Sequence, residues 1–592
     1  MVRTRRSVAL VGIAALAAAL VSTSTAAQAT PGAAAGAAAD ATDTSTYVVL
    51  ADDAAAVDGA IAAVQAAGGT VDRVNRAIGL VTAASSAESF AATVSAEPAV
   101  AGVARDRPVG SAPQDVAASR DAVEKEGRNP DAAARSSALL RTDGRSPGHG
   151  PGKGPGKGHG PVTPEPLAGY QWDMKMIGAT ATGSYVKQPG RKDVLVGVID
   201  TGIDGSHPDI APNFNSALSR NFTTDIELID GPCAEEADQS CEDAADVDED
   251  GHGTHVAGTI AAPINGLGMA GVAPNVSLVN LRAGQDSGYF FLAATVDALT
   301  YAGDNGIDVV NMSFYIDPWL FNCRANPADS AAEQLEQATI IDATQRALDY
   351  ARGHGVTLIS ALGNDNTDLG LAVKTDESSP DFPPGTEKTR TVTNDCLDMP
   401  TEANGVISVS SVGPSGKKSD FSNHGLEQND ISAPGGFYRD YVGTNKFSTP
   451  GNLILGPYPK ALAIANGEVD PVTGESLSDF VVAECSAAGI DSCAYYQLIQ
   501  GTSMAAPHAV GVAALIVSKD GKRDRVHGGR TMDPVAVEKV LRQTATDVAC
   551  PAPVVTYAAE GRDASYDAPC VGNVWKNSIY GTGIVNALRA VR

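Results

Sequence analysis

Short apolar runs alternate with longer amphipathic stretches along this chain, and the pattern is interrupted once. Residues 47–50 form an apolar run that predicts a strand, 54–67 predict a helix closed by Gly68-Gly69, and 70–74 and 78–81 predict two more strands. Residues 85–96 read as a second helix and 100–104 as a last strand, so the order is βαββαβ. A unit of about 60 residues without a disulfide is marginally stable alone and gains from a partner surface. From 110 to 166 the periodicity disappears, and 147–161 is a run of Gly, Pro, Lys and His. Such a composition cannot build a core and predicts a solvated linker.

Beyond Tyr170 the pattern changes again. Residues 194–199, 276–281, 309–313, 356–360 and 406–410 are rich in Val and Ile without polar alternation, as in strands buried on both faces. Helical stretches at 253–262, 289–305, 332–354, 503–517 and 533–543 supply crossovers, so the expected class is α/β with a mostly parallel sheet. Functional groups in such sheets gather where strands end at their carboxyl edge, and Asp200 follows the first run directly.

Composition narrows the possible roles. The 592 residues carry a formal net charge of -27, which disfavours a nucleic-acid partner, because affinity there rests on Lys and Arg facing phosphates. Arg3, Arg5 and Arg6 precede an apolar run from Val8 to Val21 and an Ala27-Gln28-Ala29 cleavage pattern, which reads as an export signal over 1–29. The Arg5-Arg6 pair leaves the export route open. No later segment offers the ~20 apolar residues of a membrane span, so release without an anchor is expected. All eight cysteines follow residue 230, and export favours disulfides over a zinc site, for which ligand spacing is missing. Short loop closure suggests Cys233 with Cys241, Cys485 with Cys493 and Cys550 with Cys570, leaving Cys323 for Cys396, among 105 possible connectivities.

Three glycine-marked segments carry the chemistry: Val198-Ile199-Asp200-Thr201-Gly202, His252-Gly253-Thr254-His255-Val256-Ala257-Gly258 and Gly501-Thr502-Ser503-Met504-Ala505-Ala506-Pro507-His508. A carboxylate that orients an imidazole, an imidazole that takes a proton, and a hydroxyl that becomes a nucleophile are the parts of an acyl-transfer site. On these motifs, residues from about 170 onward resemble the subtilisin-like serine peptidases, and 47–107 look like the inhibitory propeptide of that family. The triad order and the size of the oxyanion-donor effect used below are those of subtilisin itself.

The resemblance implies a subtilisin-like three-layer domain over 167–592, preceded by a small α+β, ferredoxin-like propeptide domain over 47–109, with an Ala-rich spacer at 30–46 and a linker at 110–166. It implies Asp200, His252 and Ser503 as the triad and Asn364, in Gly363-Asn364, as the oxyanion donor; His255 is then structural. Ser313, Phe314, Tyr315 and Gly363 fall at substrate-binding positions. Where the family usually has Leu-Gly after Asn-x-Ser, this chain has Phe314-Tyr315, so a narrower specificity than that of a digestive protease is expected. Asp209 and Asn265 match structural calcium ligands; no cofactor is required for the chemistry. Glu235, Glu236, Asp238, Glu242, Asp243, Asp246, Asp248, Glu249 and Asp250 form an acidic run before His252, read first as a solvated face, with contact to basic substrate residues or calcium as alternatives. The expected protein is a secreted, monomeric endopeptidase acting on polypeptides and held inactive by its own propeptide. A catalytically silent scaffold on the same fold would require a missing triad residue, and none is missing.

Overall fold

The computed structural model describes residues 44–106, 162–235, 240–376, 388–487 and 489–592. The expected export signal, the spacer up to residue 43 and the linker between 110 and 161 lie outside the described residues.

The N-terminal unit has the predicted element order: Ser45–Ala51 (β1), Val57–Ala66 (α1), Thr70–Asn75 (β2), Leu80–Ser85 (β3), Phe90–Ser95 (α2) and Val100–Arg105 (β4). Its antiparallel sheet runs β2-β3-β1-β4. Alternate residues of a strand face opposite sides, and here both sides are covered. Tyr47, Val49, Val81 and Ala83 pack with Phe90 and Val94 of the unit's own helices, whereas Val48, Leu50, Leu80 and Ala104 join the core of the domain that follows. This second interface supplies the partner surface that so small a unit needs.

That larger domain begins with Trp172–Ile177 (α3), Leu195–Ile199 (β5), Arg220–Asn221 (β6), His252–Ala261 (α4), Ser277–Arg282 (β7), Leu292–Asp304 (α5) and Val309–Met312 (β8). Asn322–Cys323 (β9), Ala331–Gly353 (α6), Thr357–Ala361 (β10), Val373–Asp376 (β11), Arg390–Thr393 (β12), Cys396–Leu397 (β13), Val406–Val412 (β14) and Ile431–Pro434 (β15) follow. The C-terminal part holds Ile454–Tyr458 (β16), Lys460–Ala465 (α7), Val481–Cys485 (β17), Cys493–Ile499 (β18), Thr502–Asp520 (α8) and Pro534–Thr544 (α9).

The main sheet is seven-stranded in the order β15-β14-β10-β8-β5-β7-β6, and every neighbouring pair is parallel. Val196, Val198, Ile359 and Val409 face a core completed by α4 and α8, and Ile199, Val279, Val310 and Leu358 face one completed by α5 and α6. Two apolar faces explain why these strands lack polar alternation. The chain passes from β5 to the edge strand β6, returns to β7, and then crosses β5 to β8, from which β10, β14 and β15 follow outward, so the direction changes beside β5.

All eight cysteines are paired, as Cys233–Cys241, Cys323–Cys396, Cys485–Cys493 and Cys550–Cys570. No thiolate is left for zinc. Among the described residues no helix is long and apolar enough to cross a membrane.

Candidate active site

Asp200 is the first residue beyond β5, at the carboxyl edge, and is fully buried. Its Oδ1 accepts the Thr201 backbone N–H (2.9 Å) and lies 2.7 Å from His252 Nδ1. Burial pushes the Asp200 carboxyl above its ordinary range, and the facing imidazole opposes that rise. The contact fixes which edge of the imidazole faces the carboxylate.

His252 opens α4, and the acid run before it holds that end in place. Asp248, itself buried, accepts from Gly251 N–H (2.8 Å) and Thr254 N–H (2.8 Å), and Asp250 accepts from His252 N–H (3.0 Å). Carboxylates at a helix N-terminus satisfy free amides and favour the helix dipole. Asp243 pairs with Arg282, a fully buried guanidinium that also meets Asp286 (2.6 Å) and Asp225 (3.4 Å). The expected solvated face is thereby corrected for Asp243, Asp248 and Asp250, because their partners are backbone amides and a buried cation; Glu236 and Asp238 lie outside the described residues. His255 projects from α4 toward the β16–β18 sheet, with Nε2 3.1 Å from the Ile454 carbonyl and 3.2 Å from that of Gln497. It braces the helix.

Ser503 lies in the first turn of α8, which packs against α4, β8, β10 and β14. Its carbonyl accepts from the Ser313 hydroxyl (3.1 Å), which in turn accepts from Asn311 Nδ2 (2.9 Å). The preceding residue, Thr502, was not singled out by its sequence context, yet it organises the site. Both its N–H (2.9 Å) and its hydroxyl (2.8 Å) donate to Asn364 Oδ1, and the same hydroxyl accepts from Gly363 N–H (3.1 Å). With Oδ1 held by two donors, the Asn364 Nδ2 is turned the other way, available to an acceptor. Gly363 adopts φ +98°, and a Cβ there would strike Asn423 Nδ2, so the turn needs glycine. Phe314 stacks on Phe290, with ring centroids 4.1 Å apart, and both Phe314 and Tyr315 are half-buried.

Asp209 and Asn265 are brought together, but as a hydrogen-bonded pair. Asp209 Oδ1 accepts from Asn265 Nδ2 (3.0 Å), and its Oδ2 accepts from Met269 N–H (3.0 Å) and the Tyr496 hydroxyl (3.1 Å). Asn265 Oδ1 accepts from Leu267 N–H (2.8 Å). Calcium needs converging oxygen lone pairs, and here those oxygens are engaged by N–H and O–H donors. Glu165 and Glu484 reach the same loop, accepting from the N–H groups of Gly266 and Gly268. Burial, helped by repulsion among these acids, pushes Glu165 up to about 8 and Asp209 to about 7.

Residues 191–563 match the Subtilase family. Subtilisin DY of Bacillus licheniformis is 28% identical over 327 residues, 55% of this chain and 77% of that protein. The nisin leader peptide-processing serine protease NisP of Lactococcus lactis is 27% identical over 358 residues, 60% of this chain but only 44% of that protein. Among solved structures, the epidermin leader peptide processing serine protease EpiP from Staphylococcus aureus superposes with a TM-score of 0.56 at 19% identity, over 93% of this chain and 98% of that one. Fervidolysin from Fervidobacterium pennivorans superposes with a TM-score of 0.51 at 20% identity, over 93% of this chain and 61% of that one. The fold is subtilisin-like.

Proposed function

Because the chain belongs to the subtilase family of serine peptidases, we propose that it is an exported endopeptidase that works through Asp200, His252 and Ser503 and is made as a zymogen. The observation that carries this reading is the Asp200–His252 pair at 2.7 Å on the same sheet edge as the Thr502–Asn364 contact that flanks Ser503. Ser503 Oγ attacks the peptide carbonyl as His252 Nε2 takes its proton, and His252 then delivers that proton to the leaving amine. Asp200 fixes the tautomer and stabilises the imidazolium. Asn364 Nδ2 and the Ser503 backbone N–H receive the developing oxyanion. Water repeats the sequence on the acyl-enzyme and frees the acid.

The zymogen reading is supported by how the N-terminal unit sits on α5 and α6. Arg73 meets Asp297 (2.8 Å), Asn75 donates to Asp297 (2.8 Å) and Thr300 (2.7 Å), and Arg346 donates to the carbonyls of Ala51 (2.7 Å) and Asp52 (2.9 Å). Gly102 comes so close to Thr339 that a Cβ would collide with its hydroxyl. The relatives named for leader-peptide processing, together with the bulk of Tyr315, favour limited processing over bulk digestion. Secreting the full chain and its Ser503→Ala variant, then sequencing the N-termini, tests the reading: self-processing is expected in the first and absent from the second. Identical unprocessed products would refute it.

A further inference from the structure

Asp398 is a buried carboxylate, 3% exposed, whose Oδ1 meets no hydrogen-bond partner among the described residues. A buried acid left without a donor costs several kcal/mol in an apolar setting, so folds rarely keep one that function does not use. Its position is informative. Asp398 follows β13, and the next residue, Met399, accepts the Ile316 N–H through its carbonyl (2.9 Å), so this segment runs beside residues 313–316. Asp398 Oδ2 lies 3.6 Å from where a Cβ on Gly363 would stand. The carboxylate therefore sits behind the two segments that flank Ser503, one ending in Ser313 to Tyr315 and the other in Gly363-Asn364.

The surroundings do not neutralise it. Asp398 N–H donates to Glu402 (2.9 Å), which brings a second acid to the site. Lys374 Nζ donates to the Leu369 carbonyl (3.2 Å) and Asn394 Oδ1 (3.4 Å). Arg390 is taken up by Asp329 (2.8 Å) and Asp376 (3.0 Å). Burial, with Glu402 and Asp365 adding to it and Lys374 opposing, pushes the Asp398 carboxyl well above its ordinary range. Negative charge is in excess here, immediately behind Gly363 and the segment that Met399 pairs with at Ile316.

Asn364 faces the oxygen of the carbonyl under attack, so the side chain beside Gly363 belongs to the same substrate residue. We propose that Asp398 forms the floor of the pocket receiving the side chain on the acyl side of the scissile bond, and that it selects Lys or Arg there. The proposal rests on the peptidase reading above. An ammonium or guanidinium on a long apolar stem can reach such a floor and supply the missing donors.

The test uses the mature enzyme, Asp398→Asn and Ser503→Ala with fluorogenic peptides that differ only at that residue: Arg, Lys, Leu, Phe or Gln. The wild type is expected to favour Arg and Lys over Leu by on the order of 10²-fold in kcat/KM, as for a buried charge pair. Asp398→Asn should bring the Arg-to-Leu ratio to within about tenfold, mainly through KM for the Arg peptide. The readout is a ratio on one sample, so a variant that folds poorly does not imitate the effect. A wild type that prefers Leu, Phe or Gln, or a ratio unchanged in Asp398→Asn, overturns the assignment while the peptidase reading stands. If the wild type cleaves nothing and takes no label from a serine-reactive phosphonate, both fall.

Discussion

Replacing Thr502 by Val separates orientation of the oxyanion donor from its presence. The substitution keeps the backbone N–H on Asn364 Oδ1 (2.9 Å) and removes the hydroxyl that donates to the same oxygen (2.8 Å). One net hydrogen bond is worth about 1 kcal/mol, and each ~1.4 kcal/mol in the barrier is tenfold in rate, so kcat should fall roughly fivefold with KM little changed. Asn364→Ala removes the donor itself and should lower kcat by ~10²–10³. With the amide gone there is nothing left to orient, so adding Thr502→Val to Asn364→Ala should have almost no further effect on kcat. That is a coupling of about 1 kcal/mol. The hydroxyl also accepts from Gly363 N–H (3.1 Å), so Thr502→Val should lower unfolding free energy by about 1 kcal/mol, measured separately by urea titration. Steady-state kinetics of the four proteins on one peptide decide the matter. A fivefold loss that persists unchanged in the Asn364→Ala background, or a loss confined to KM, would refute the positioning role of Thr502.

Other outcomes follow from the same geometry. Asp200→Asn should lower kcat by about 10⁴-fold, because an amide no longer fixes the imidazole tautomer; retention of most activity would contradict its role. Arg282→Met leaves Asp225, Asp243 and Asp286 without their shared cation and should cost about 3–5 kcal/mol in chemical unfolding. Burial raises Glu165 and Asp286 each to about 8 and Asp209 to about 7, so the folded chain retains protons that the unfolded chain has lost. Stability should therefore fall as pH rises from near 4 toward 8, and Glu165→Gln should flatten that slope in thermal melts at pH 5.5 and 8.5. Asp297→Ala removes the partner of both Arg73 and Asn75, and it should hasten release of the N-terminal unit, followed by gel analysis of maturation.

The strands of the main sheet were legible because both of their faces are buried, leaving uninterrupted Val and Ile runs. The five predicted runs lie within one or two residues of β5, β7, β8, β10 and β14. β15, with Ile431–Pro434, is too short to show a period, and the β16–β18–β17 sheet is read only once His255 and α4 supply the surface it covers. The second helix of the N-terminal unit is shorter than its apolar pattern, beginning at Phe90 rather than at residue 85, because the residues through Ser85 complete β3. In the site, the three motifs mark their own residues, whereas the meaning of the others depends on contacts distant in sequence. The acidic run reads as solvated until Arg282 and the α4 amides are placed against it. Thr502 resembles any residue before a nucleophile until Asn364, 138 positions earlier, arrives at its hydroxyl. Asp398 acquires significance only when Met399 pairs with Ile316 and Gly363 lies against its carboxylate.

The central claim, that Ser503 is a nucleophile activated by His252, is tested most directly by treating the purified protein with a serine-reactive phosphonate and locating the label by peptide mass spectrometry. One equivalent on Ser503 is expected in the wild type, with labelling strongly slowed in His252→Ala and absent in Ser503→Ala. An unlabelled wild type, or peptide hydrolysis that survives in Ser503→Ala, would contradict it.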